Sequence, residues 1–197
     1  MAFRERGFNA FSCDLQRCRK AGNPSWHILG DVSPYLAGRT QFKTQDGKKH
    51  RLKKWDLIVA HPPCTFLCRL SGCQLTKHGI INQQRYEEMQ KARVFFGKCL
   101  NAAAHYIAVE NPVPLVAAKL PRPTTYVQPS DYGHKYTKKT CLWLKNLPPL
   151  MPTLIFPNPK SYVHCSRGKY RARTFPNVAK AMAEQWGDYI LDDRMTE

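Results

Sequence analysis

The residues best placed to do chemistry are the run His61-Pro62-Pro63-Cys64 and the run Glu110-Asn111-Pro112. A cysteine attacks as its thiolate and needs a positioned, accessible side chain to do so. Residues 56–60 (DLIVA) are a continuous apolar run, as expected of a buried parallel strand. The two prolines that follow make a rigid exit without backbone donors. Such an exit presents Cys64 outward with little conformational freedom left to lose. A buried structural cysteine is the plain alternative in an α/β fold, and the Pro-Pro context and strand-end position weigh against it. A second apolar run, 106–109, ends at Glu110, so the carboxyl group is expected on the same edge as the thiol. A carboxyl there suits acid catalysis, or hydrogen bonds to the ring nitrogen and exocyclic amine of a nucleobase. Its alternative is a surface glutamate in a loop.

These groups need elements to hold them. Residues 2–7 read as the tail of a helix stopped by Gly7. Short strands are expected at 10–13, ending at Asp14, and at 27–29, followed by Gly30-Asp31; residues 16–26 read as loop. Residues 83–104 predict the longest helix, with Tyr86, Met89, Ala92, Val94, Phe95 and Leu100 on its apolar face. Later strands fall at 126–128 and 141–144. Proline makes 147–159 irregular, and an amphipathic helix over 177–191 closes the chain. Strands alternating with helices predict a mostly parallel, doubly wound sheet flanked by helices. Ligands of such sheets sit beyond the carboxyl ends of the strands, which is where Asp14, Asp31, Cys64 and Glu110 fall. The 197 residues read as a single domain, 1–197.

The formal charge is +17, from 31 Lys and Arg against 14 Asp and Glu. That balance favours a polyanionic partner, nucleic acid ahead of an anionic membrane surface, because no basic amphipathic helix is evident. Residues 38–54 (GRTQFKTQDGKKHRLKK) concentrate the charge, and Asp46-Gly47 predicts a tight hairpin turn. This basic hairpin, with Lys48, Lys49, Arg51, Lys53 and Lys54, is the expected duplex-DNA contact, joined by Lys138, Lys139, Arg171 and Arg173. Phe42, Trp55 and Tyr170 are interleaved with the basic residues as candidates for stacking on bases. No apolar run approaches the roughly 18 residues of a membrane span. The amino terminus is too short and too charged for a signal peptide, so a cytoplasmic location is expected. The eight cysteines are expected as reduced thiols. Cys64, Cys68, Cys73 and His78 have a spacing reminiscent of a zinc knuckle, but such sites usually open with two intervening residues, not three; no metal site is expected.

HPPC followed 46 residues later by VENP resembles the DNA cytosine-5 methyltransferases, which use a Pro-Cys loop and a Glu-Asn loop. PSDYGHKYTKKTCLWL is similar to that family's DYG-x-P-Q-x-R-x-R segment and the strand after it. Tyr136 stands at the Gln position, Lys138 at the first Arg and Thr140 at the second. The order of segments is most similar to small methyltransferase-like proteins of bacteriophages. The resemblance implies a Rossmann-like methyltransferase fold with an inserted basic hairpin. It implies a covalent mechanism on a flipped cytosine: Cys64 attacks ring carbon 6, Glu110 stabilises the protonated ring nitrogen, Asn111 orders its loop, and Lys138 holds phosphate. It implies S-adenosylmethionine as methyl donor, beside Asp14, Leu15, Asp31, Val32 and Pro62. Two departures stand out. The family opens with a strand and a Gly-rich cofactor loop, whereas this chain starts inside the following helix. The target-recognition region is reduced to 146–172. The rival reading is a catalytically inactive, methyltransferase-derived phage protein that binds DNA or blocks a host defence protein, in the host cytoplasm.

Overall fold

In the computed structural model, which describes residues 2–18, 22–77, 79–162 and 174–196, the chain is a mixed α/β protein. Strands β1 (Ser12–Asp14) and β2 (His27–Leu29) form a parallel pair. Strands β3 (Gln41–Lys43) and β4 (Lys49–Arg51) form an antiparallel hairpin. Next come β5 (Trp55–Ala60) and the small antiparallel pair β6 (Thr76–Lys77) and β7 (Ile80–Ile81). After these come β8 (Ala104–Pro112), β9 (Thr125–Val127), β10 (Tyr136–Thr137), β11 (Thr140–Lys145) and β12 (Lys160–Ser161). The helices are α1 (Ala2–Glu5), α2 (Ser33–Leu36), α3 (Gln83–Leu100), α4 (Pro176–Ala181) and α5 (Gly187–Thr196).

The central sheet has the order β5-β8-β11-β9. Only β5 and β8 run parallel; β11 is antiparallel to both β8 and β9. The sheet is therefore mixed, where the strand–helix alternation predicted a mostly parallel one. The reason is local. Between β8, β9 and β11 the only helical stretches are the 3-10 turns Val116–Ala118 and Pro129–Asp131, with no α-helix to cross the sheet face, and β11 inserts antiparallel between β8 and β9.

Alternation along β8 sorts the core into two layers. Tyr106 and Ala108 pack toward Val178, Met182, Trp186 and Ile190 of the C-terminal helical segment. Ile107 and Val109 pack toward Met89, Phe96 and Cys99 of α3. Burying each large apolar side chain contributes roughly 1.5–3 kcal/mol, so the two layers hold the sheet between them. Asn82 caps α3 by accepting from the Arg85 amide at 3.1 Å, and the helix stops at Leu100, short of the expected 104, because β8 already begins at Ala104. Its buried face is Met89, Phe96 and Cys99, with Ala92, Phe95 and Leu100 at the margin. Val94 points away from that stripe and is exposed, as is much of Tyr86 in the first turn. The closing helix runs longer than expected: α4 continues through a π-helical stretch, Met182–Trp186, into α5. Trp186 is fully buried and donates Nε1 to the Pro148 carbonyl at 3.0 Å. Among the described residues, no helix is long and apolar enough to cross a membrane.

The hairpin forms as expected, but its connection is wider than a two-residue turn. The Gly47 amide donates to the Thr44 carbonyl at 2.8 Å, and Gly47 takes φ +94°. This is the type I turn with a left-handed glycine that closes three-residue hairpin loops. Gln41, Lys43, Lys49 and Arg51 face solvent. Phe42 faces inward and is only 7% exposed, stacked on His50 and Trp55 and edge-on to Phe11 and Tyr35.

Candidate active site

Cys64 lies four residues beyond the end of β5, and its carbonyl accepts from the Leu67 and Cys68 amides, both at 3.1 Å. That turn brings the Cys68 side chain back beside it. The hydrogen bond to Cys68 is the largest of the influences that push the Cys64 thiol well above its ordinary range. Burial and negative charge on Cys68 and Glu110 push the same way. The resting form of Cys64 is therefore the neutral thiol. All seven described cysteines are free. No group of three or more His, Cys, Asp or Glu among the described residues could hold a metal ion, and His78 lies outside them.

Glu110 sits within β8, opposite Leu142 of β11, and is mostly buried. Its Oε2 accepts from His61 Nδ1 at 3.0 Å. The parallel pairing of β5 with β8 produces this contact, because it brings the two carboxyl ends side by side. Asn111 is fully buried; its Nδ2 donates to the Pro112 carbonyl at 2.8 Å, while its Oδ1 has no partner. An orphaned buried acceptor costs roughly 1–3 kcal/mol, so the loop is held in an arrangement that a donor would relieve. Lys138 is positioned through its backbone: its amide donates to Gln128 Oε1 at 2.9 Å, and its carbonyl accepts from Thr140 Oγ1 at 3.0 Å. A small cavity of about 20 Å³ joins Lys138 and Thr140 to Glu110. Cys64, Glu110, Asn111 and Lys138 thus share one end of the sheet.

The expected cofactor residues meet in part. Asp14 ends β1 and accepts from the Gln16 amide at 2.8 Å. Asp31 Oδ1 accepts from the Ser33 amide and then its hydroxyl, both at 2.9 Å, and these bonds hold the carboxyl below the usual range. Between the two lies Cys13, which burial first, then the charges of Asp14 and Asp31, push up to about 11. Asp14, Val32 and Pro62 line one cavity of about 670 Å³; Leu15 is exposed and neither it nor Asp31 is on that wall.

The basic candidates divide. Lys48, Lys49, Arg51, Lys53 and Lys54 are all exposed, and Lys54 lies 3.8 Å from Asp56. The hairpin they decorate packs on Trp55, the first residue of β5, and Trp55 donates Nε1 to the Arg39 carbonyl at 2.8 Å. Cys64 follows the other end of that strand. The hairpin and the thiol are therefore separated by a six-residue strand, about 20 Å at 3.3 Å per residue. Phe42 is not free to stack on bases, because its ring is buried against Trp55 and His50, whereas Trp55 is half-buried and gives one face to Phe42. Lys139 places its Nζ 4.1 Å from the centre of the Tyr126 ring. Arg171, Arg173 and Tyr170 lie outside the described residues.

Three residues without an assigned role in the sequence now have one: His61 as the partner of Glu110, Cys68 as the partner of Cys64, and Gln128 as the anchor of Lys138. His61 was the most readable, since it opens the HPPC run at a strand exit. No protein-family model, no curated protein and no solved structure matches the chain.

Proposed function

We propose that the chain is a cytosine-5 methyltransferase-type protein with a Rossmann-like ancestry, acting on cytosine in DNA through Cys64. The observation that carries this reading is the grouping of Cys64, Glu110 and His61 at the carboxyl ends of two parallel strands, with Glu110 mostly buried and bonded to His61 at 3.0 Å. A flipped cytosine meets Glu110 with its ring nitrogen and exocyclic amine. Cys64 gives up its proton to solvent, and its sulfur bonds to ring carbon 6 while the ring nitrogen takes a proton from Glu110. Negative charge on Glu110 opposes thiolate formation, so a protonated, base-bound Glu110 eases it. His61 orients the Glu110 carboxyl, and Lys138 lies within reach of an adjacent phosphate.

S-adenosylmethionine would supply the electrophilic methyl group. The residues present fit its polar and apolar parts. Asp14 offers an exposed carboxylate for ribose hydroxyls and Val32 with the buried Pro62 an apolar wall, while Asp31 and Leu15 lie off that wall. Transfer of labelled methyl groups to DNA tests the proposal. The expected result is incorporation by the unmodified protein and none by Cys64→Ser. Equal incorporation by both would overturn the role of Cys64.

A second reading, a methyltransferase-derived DNA binder without catalysis, is favoured by one observation: Cys68 and Glu110 both stabilise the unreactive thiol. DNA binding that is lost at high salt, together with no methyl transfer, would select it.

A further inference from the structure

The β3–β4 hairpin has two unlike faces. Phe42 and His50 stack on one face, and Phe42 anchors it against Phe11, Tyr35 and Trp55. The other face carries Gln41 opposite Arg51 and Lys43 opposite Lys49. Like charges set directly across a strand pair destabilise it. The exposed Arg39, Lys48, Lys53 and Lys54 flank this face. Of all these cations, Lys54 alone pairs with an acid among the described residues, Asp56 at 3.8 Å. Asp46 is the single acid between positions 39 and 54. Its carboxylate accepts from the Thr44 hydroxyl at 2.6 Å and the Lys48 amide at 3.2 Å. The buried rings thus hold in place a charge concentration that the protein itself leaves unbalanced.

This face lies far from the thiol. Phe42 stacks on Trp55, the first residue of β5, whereas Cys64 follows the last. The strand between them is about 20 Å long at about 3.3 Å per residue. A duplex laid across the carboxyl ends of β5 and β8 is stiff on this scale, with a persistence length of about 150 base pairs. It does not fold back to the opposite end of the sheet. The C-terminal helical run joins the two ends, from Val178 beside Glu110 to Arg194 beside Asp56. Its cations give a duplex nothing to follow, because Lys180 lies 3.7 Å from Glu184 and Arg194 pairs with Asp56.

We infer that the outer face of the hairpin holds a second segment of duplex DNA, separate from the segment at Cys64, so that one molecule bridges two segments. The bridge rests on the reading that the Cys64 end takes DNA; the hairpin site does not. The major groove, about 12 Å wide, admits a two-stranded ribbon. Gln and Arg are side chains that hydrogen-bond to base edges there, and Gln41 stands beside Arg51 in register. Lys43 and Lys49 are left for phosphates. Lys49 and Arg51 are two residues apart on one strand, about 6.6 Å, a span that matches two charges of a DNA strand at about 3.4 Å each. With Phe42 turned inward, the face presents no large apolar side chain to a membrane.

The test uses the full chain and one duplex of about 24 base pairs, roughly 80 Å long, in donor-labelled and acceptor-labelled batches. That length reaches both sites if they lie along one duplex. With duplex in excess at low salt, energy transfer reports bridging, and analytical ultracentrifugation gives the composition of the complex. The variant combines Lys43→Gln, Lys49→Gln and Arg51→Gln, all at exposed positions, and circular dichroism checks its fold. The expected result is two duplexes on one protein with energy transfer, and one duplex without energy transfer for the variant. One duplex per unmodified protein would overturn the inference. If the variant then still binds one, the hairpin is no separate site, or a single duplex follows α3 past Arg93 and Lys98 to both ends. If the variant binds none, the Cys64 end takes no DNA, and the reading beneath the bridge fails with it. Energy transfer from a complex of two proteins, or energy transfer unchanged in the variant, would overturn the inference as well.

Discussion

Replacing Phe42 by alanine separates a core residue from a base-stacking one. Phe42 is 7% exposed and lies against four rings, those of Phe11, Tyr35, His50 and Trp55, with centroids between 4.8 and 6.1 Å. Truncating a buried phenylalanine to alanine costs about 3–5 kcal/mol. The lower end applies, because Phe11 and Trp55 border the cavity of about 670 Å³ and can move into the space left behind. About 3 kcal/mol corresponds to a fall in Tm of roughly 6–12 °C at this chain length. Phe42→Leu keeps most of the volume and should cost about 1 kcal/mol. The assay is thermal denaturation followed by circular dichroism, with DNA affinity measured well below the melt. The expectation is a large stability loss and unchanged affinity in the fraction that remains folded. A fall in Tm under about 2 °C, or lost DNA binding at full stability, would refute the packing argument.

Alkaline pH should destabilise the protein. Unfolded thiols titrate near about 8.5, whereas burial, above all else, pushes Cys13, Cys99 and Cys141 up to about 11. The unfolded chain then binds fewer protons than the folded one. The stabilisation is complete below about pH 8.5 and is lost as pH rises toward 11, so the urea midpoint should fall over that window, and a flat midpoint would contradict it. Cys68→Ala removes the leading influence on Cys64 and should speed alkylation of Cys64 by iodoacetamide at neutral pH; an unchanged rate would show that burial governs it. A Cβ on Gly187 would stand 2.7 Å from the Phe8 ring. Gly187→Ala should therefore cost about 1 kcal/mol, recovered when Phe8 is also made alanine, and additive losses would contradict the clash. Neutralising Lys48, Lys49, Arg51, Lys53 and Lys54 together should flatten the salt dependence of DNA binding by about four to five charges, and unchanged binding would remove the hairpin from the interface.

Local patterns were legible in the sequence, and long-range pairings were not. The apolar run DLIVA gave β5 to within one residue, since the strand begins at Trp55, and Gly7, at φ +83°, stops the first helix as its identity suggested. The hairpin followed from Asp46-Gly47, but the face it buries did not, because a phenylalanine among lysines reads equally as a stacking surface or as an anchor. Only the neighbours that stack on Phe42 decide it. In the same way, Cys64 and Glu110 were visible as strand-end residues, while the thiol pair with Cys68 depends on a turn that returns one side chain to another. The position of the hairpin at the amino end of β5, opposite the thiol, rests on ring packing between segments far apart in the chain. The antiparallel placement of β11 rests on the same kind of distant pairing.

The most direct test of the central claim is to trap the bond between Cys64 and cytosine. A duplex carrying 5-fluorocytosine blocks the last step, because carbon 5 has no proton to lose. The protein is incubated with this duplex and S-adenosylmethionine, then denatured and read by mass. A covalent protein–DNA adduct that maps to Cys64 and is absent from Cys64→Ser is the result the account predicts. No adduct at saturating donor and duplex, or an adduct that survives in Cys64→Ser, would contradict it.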